Sequence, residues 1–73
     1  MSYAGTLTAE LRDANPHTHD SIRRLVEYVG GEVVSIAGTT LVARPAPNRS
    51  GGELLMGHLQ VDPLVIPETV GWS

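Results

Sequence analysis

The side chains best equipped for chemistry are the three histidines, His17, His19 and His58, with Asp20 beside the first two. An imidazole binds a metal through a ring nitrogen or moves protons near neutral pH. A His-x-His pair with a following carboxylate is therefore a candidate metal-binding or enzyme accessory site, with His58 as a distant ligand. The spacing opposes that reading. Ligands at i and i+2 share a face on a strand and diverge on a helix, and His17 and His19 fall in the first turn of an expected helix. The His-Glu-x-x-His spacing that places two ligands together is absent. Ser21 and Ser35 are candidate nucleophiles, but no Gly-x-Ser-x-Gly elbow presents either one. The expectation is a chain with no catalytic residues, no metal and no cofactor.

The glycines do not form a phosphate loop. Gly30-Gly31 follows a helix where a phosphate site would open one, and Gly51-Gly52 lacks the Gly-Lys-Ser/Thr ending. Cysteine is absent, which excludes disulfides and thiolate zinc sites. The net charge is −3, and the five cationic side chains are all arginine. That balance works against general binding to phosphate backbones, which depends on counterion release. No apolar run approaches the roughly 20 residues that span a bilayer. The Met-Ser-Tyr-Ala-Gly start has no signal-peptide pattern. The expected location is the cytoplasm or the inside of a phage particle, with no membrane partner.

The elements that position these residues begin with an alternating stretch over 3–12. Tyr3, Gly5, Leu7, Ala9 and Leu11 share one side, and Thr6, Thr8, Glu10 and Arg12 the other, as in a half-buried strand. Residues 16–29 read as a helix. Asn15 is an N-cap, Pro16 sits at the first helical position, and Gly30-Gly31 is the stop. Thr18, Ile22, Leu25, Val26 and Val29 form its apolar stripe, and Asp20–Arg24 and Arg23–Glu27 are expected i, i+4 ion pairs. Residues 32–36 and 40–44 read as a hairpin closed at Ala37-Gly38-Thr39. Pro45, Pro47, Asn48, Ser50, Gly51 and Gly52 make a turn-rich connection. Residues 53–61 read as a strand with two partly apolar faces, either buried on both sides or facing a partner, ended by Pro63.

The expected fold is therefore α+β: one helix packed on a three- to four-stranded, mostly antiparallel sheet in the order β-α-β-β-β. Residues 1–61 form the compact domain and 62–73 an extended apolar C-terminal tail. A chain of 73 residues builds a thin core, which favours a protein partner or a homo-oligomer.

Residues 21–45 carry a helix with Arg23-Arg24, a Gly-Gly stop and a hairpin with a Gly38-Thr39 tip. This stretch resembles the recognition helix and wing of winged helix-turn-helix repressors. The resemblance implies a DNA-binding regulator in which Arg23 and Arg24 face the groove, with Arg44 as a further contact. With residues 6–12 in front, the same stretch also resembles half of a ferredoxin-like unit. No second helix is read further on, so the unit is expected to need a dimer or a partner to complete it.

The reading with most support is a noncatalytic interaction protein, a structural or accessory subunit acting within a larger bacterial or phage assembly. Its expected contact residues are Leu64, Val65, Ile66, Val70 and Trp72, large apolar groups on a segment that Pro63 and Pro67 keep extended.

Overall fold

The computed structural model describes residues 5–47 and 50–72; Tyr3, and Asn48 and Arg49 of the turn-rich connection, lie outside them. The elements are β1 (Leu7–Leu11), α1 (Pro16–Tyr28), β2 (Glu32–Ala37), β3 (Thr40–Arg44), α2 (Gly51–Val61) and β4 (Val65–Trp72). The protein is a small α+β domain: four antiparallel strands in the order β2-β3-β1-β4, with two helices on one face.

The first half forms as the residues dictate. Asn15 Oδ1 accepts the His17 N–H at 2.8 Å and caps α1, with Pro16 in its first turn. Gly30 ends the helix at φ +82, and Gly31 has no room for a side chain, since a Cβ there would sit 2.8 Å from the Arg44 carbonyl oxygen. Ile22 and Val26 are fully buried, and Leu25 and Val29 pack against them more loosely. The ion pairs expected along α1 do not form; among the described residues the one ion pair is Arg44–Glu32, at 3.2 Å across the β2–β3 hairpin. These arginines are long side chains in water, where holding a pair together gains little. Gly38, at φ +59, turns that hairpin from the first position of its two-residue loop, the place where such turns need glycine.

The second half departs from expectation. Residues 53–61 belong to a helix, not a strand. Gly51, Leu55 and Leu59, one helical turn apart, are buried against the sheet. That helix also completes the ferredoxin-like unit within the chain, contrary to the expected need for a partner. The order is β-α-β-β-α-β, and β3 lies between β1 and β2.

The C-terminal segment is extended as expected, but it is no separate tail. β4 pairs antiparallel with β1, placing Val65 opposite Leu11 and Trp72 opposite Leu7. The pairing slips between Thr8 and Glu10, where β4 carries Pro67. There the Thr69 hydroxyl accepts the Glu10 N–H at 2.8 Å and donates to the Ile66 carbonyl, replacing a lost ladder bond.

The core lies between sheet and helices: Leu7, Ala9, Leu11, Leu41, Ala43 and Val65 from the strands, Ile22, Val26, Leu55 and Leu59 from the helices. The alternate strand residues, Thr8, Glu10, Thr40 and Val42, face the other way. No helix among the described residues is long and apolar enough to cross a membrane.

Candidate interaction surface

The histidines do not converge. His17 is exposed at the start of α1. His19 Nε2 lies 2.7 Å from the Gly38 carbonyl oxygen, so that nitrogen carries the proton and ties α1 to the hairpin tip. His58 Nδ1 likewise donates to the Leu54 carbonyl oxygen at 2.8 Å. Among the described residues no three His, Cys, Asp or Glu side chains come close enough to hold a metal. Asp20, Ser21 and Ser35 are exposed.

Asp13 has a structural role. The Thr18 hydroxyl donates to its carboxylate at 2.6 Å and the Asn15 N–H at 2.9 Å, setting the turn that enters α1. The Thr18 bond, then the Asn15 bond, hold the Asp13 carboxyl below the usual aspartate range.

The arginines of the winged-helix resemblance are spread out. Arg23 and Arg24 are exposed on α1, and Arg44 is engaged with Glu32. β1 precedes α1 where that family has helices, and the hairpin is built into the four-stranded sheet. Proteins that read single-stranded RNA on a sheet of four strands stack bases on its aromatic side chains. The open face here offers Thr8, Glu10, Thr40, Val42 and Ile66 instead, with the Glu10 carboxylate taken up by the Thr39 and Thr40 hydroxyls.

Most of the apolar C-terminal residues are used internally. Val65 is in the core, and Leu64 and Val70 pack against it. Ile66 lies on the open sheet face opposite Glu10. Trp72 is about half exposed and rests on Gly52 at the start of α2.

The largest apolar exposure lies elsewhere, on the segment 53–61, whose two partly apolar faces suggested burial on both sides or contact with a partner, and on Tyr28. α2 buries Leu55 and Leu59 inward, yet its outer side carries Leu54, 45% exposed, and Val61, 80% exposed. Gly57 and His58 lie between them, and these four with Glu53 line one shallow groove. Tyr28, at the end of α1, is 84% exposed and stands edge-on to His58, ring centres 6.4 Å apart. Glu53 is the single carboxylate along α2. The signal was present in the sequence: Leu54, Gly57, His58 and Val61 follow helical spacing, and only a strand reading of 53–61 hid them.

Comparison of the chain with protein-family models, curated proteins and solved structures finds no match. The topology supports many unrelated activities, so the functional reading rests on surface chemistry.

Proposed function

We propose that this chain is a noncatalytic interaction module, a structural or accessory subunit that works inside a larger assembly of the bacterial or phage type, in the cytoplasm or a phage particle. One observation carries the reading: α2 carries apolar side chains on more than one side, and Leu54 and Val61 lie outside the side that the sheet covers. The core-facing stripe of a surface helix is normally the one that holds such residues. Fully burying a Val or Leu side chain is worth about 1.5–3 kcal/mol, so leaving Val61 and half of Leu54 in water forgoes stability that a small domain needs. A partner lying along Leu54, Gly57 and Val61, flanked by Tyr28, recovers it. Among the described residues the three histidines stand apart, which fits a surface that binds without catalysing.

The test is the native mass of the chain isolated under mild conditions from its own source. The expected result is a species heavier than the 7.8 kDa monomer, and its loss in Val61→Asp. Recovery of the monomer from that source, or an assembly indifferent to Val61→Asp, overturns the reading.

A second reading, a DNA-binding regulator, is favoured by Arg23 and Arg24, which are exposed and have no ion-pair partner among the described residues. Submicromolar duplex binding that weakens steeply with salt and is lost in Arg23→Ala and Arg24→Ala would establish it.

A further inference from the structure

We propose that the outer face of α2 is closed by a second copy of this chain, with the two α2 helices packed antiparallel about a two-fold axis between Gly57 and His58. The inference rests on the reading of that face as an interaction surface, and it names the occupant.

The face is self-complementary. Two-fold pairing requires a patch that matches itself when reversed. A two-fold centred between positions 57 and 58 carries Leu54 onto Val61 of the second copy and Gly57 onto His58. The two aliphatic side chains meet each other at both ends of the crossing. At its centre, each His58 ring faces the gap over the opposite Gly57. That gap is real, because a Cβ built at Gly57 would meet nothing within 4 Å. The ring is a fixed knob, since its Nδ1–H is bonded to the Leu54 carbonyl. Antiparallel packing also sets the partly positive start of each helix beside the partly negative end of the other.

The exposed apolar side chains supply about half of the area that a stable dimer hides. Tyr28, Leu54 and Val61, exposed as described, together offer on the order of 400 Å² of side-chain surface, against the roughly 800 Å² per partner that a stable dimer hides. Glu53, Gly57, His58 and Gln60 lie along the same helix and add to it. A monomer's largest apolar patch is commonly this size and commonly functional. The same two-fold brings the exposed Glu53 of each copy toward Asp62 of the other, a like-charge contact at the rim of the crossing that salt screens.

The experiment uses the purified full chain in sedimentation equilibrium from micromolar to millimolar concentration. The wild type is expected to approach twice 7.8 kDa. Gly57→Leu fills the gap that the opposing His58 needs, while the isolated subunit has room for the side chain and gains a better helix former. It is therefore expected to weaken dimerisation at least tenfold with no fall in the monomer's melting temperature. The chain has no cysteine, so Gly57→Cys is expected to cross-link to its own copy under mild oxidation and Ser21→Cys, on α1, is not. A wild type that stays monomeric to millimolar concentration, or a Gly57→Leu variant that dimerises as tightly as the wild type, overturns the proposal. If the purified chain is monomeric while its native assembly is heavy and dissolves in Val61→Asp, the second copy is wrong and the interaction reading stands. If the native chain is monomeric as well, both fall.

Discussion

The indole of Trp72 rests against Gly52. A Cβ at position 52 would fall 2.8 Å from Cη2 and 2.9 Å from Cζ2 of that ring, so the last residue of β4 and the first turn of α2 meet only because one of them has no side chain. Gly52→Ala is expected to push the ring outward. Trp72 is the only tryptophan in the chain, so its fluorescence reports the change as a red shift with greater access to a soluble quencher. Emission identical to the wild type would show that the ring does not lie there.

Two glycines of the same helix are expected to respond in opposite directions to the same substitution. A Cβ at Gly57 meets open space, so Gly57→Ala should stabilise the monomer by about 1 kcal/mol through helix propensity alone. A Cβ at Gly51 would collide with the Ala46 carbonyl, and that backbone has no flexible end to move aside. Gly51→Ala should therefore destabilise in spite of its better propensity. Urea unfolding of both variants in dilute solution decides it.

Within α1, depth of burial sets the order of costs. Ile22 is fully enclosed, so Ile22→Ala is expected to cost about 2–5 kcal/mol. Leu25 is only partly buried, and Leu25→Ala should cost less. Asn15→Ala removes the cap on the His17 N–H, for about 1 kcal/mol. Denaturant midpoints that rank Leu25 above Ile22 would mean that α1 sits rotated from the position described.

Asp13 predicts an acid-side response. Its carboxyl titrates below the ordinary aspartate value of 3.8 because Thr18 and Asn15 donate to the ionised form. Above that value it is ionised in both the folded and the unfolded chain, and its contribution is complete. As pH falls past it, the unfolded chain takes up the proton first, and stability declines until the folded carboxyl also protonates. Melting temperatures compared between wild type and Asp13→Asn should show the wild type's advantage complete at pH 5 and shrinking as the pH falls below 3.8. A difference that is constant across this range would remove Asp13 from the acid response.

Much of the first half was legible because its signals are local. Asn15-Pro16 and Gly30-Gly31 mark both ends of α1, and Gly38 marks the hairpin within two residues of the strands that it joins. α2 was not legible. Leu54, Leu55, Met56, Leu59 and Val61 spread apolar groups over more than one side of it, so alternation and helical spacing both fit, and three glycines argue against a helix by propensity. The discriminating signs were the Gly51, Leu55, Leu59 spacing and the Ser50-x-x-Glu53 pattern of a capping box, although the Ser50 side chain makes no cap bond in the fold. The extended form of β4 followed from Pro63 and Pro67, but its partner did not. Pairing with β1 is decided by residues from opposite ends of the sequence, and no local preference encodes it. With 53–61 read as a strand, the apolar residues without an evident place in the core were those of the C-terminal segment, which the fold largely consumes, while Leu54 and Val61 are the ones left in water.

The position of β1 between β3 and β4 also bears on the order in which the protein is made. A strand translated early is completed by one translated late, with nearly the whole chain between them. Closing so long a loop is slow, and the contacts that reward it come last. Until residues 65–72 clear the ribosome, the β1 edge is unpaired and Val65 is missing from the core that Leu7, Ala9 and Leu11 share. The nascent chain thus has α1 and the β2–β3 hairpin available early, yet it completes its sheet only after residues 65–72 have emerged. In that interval it presents an open strand edge to chaperones and to its neighbours.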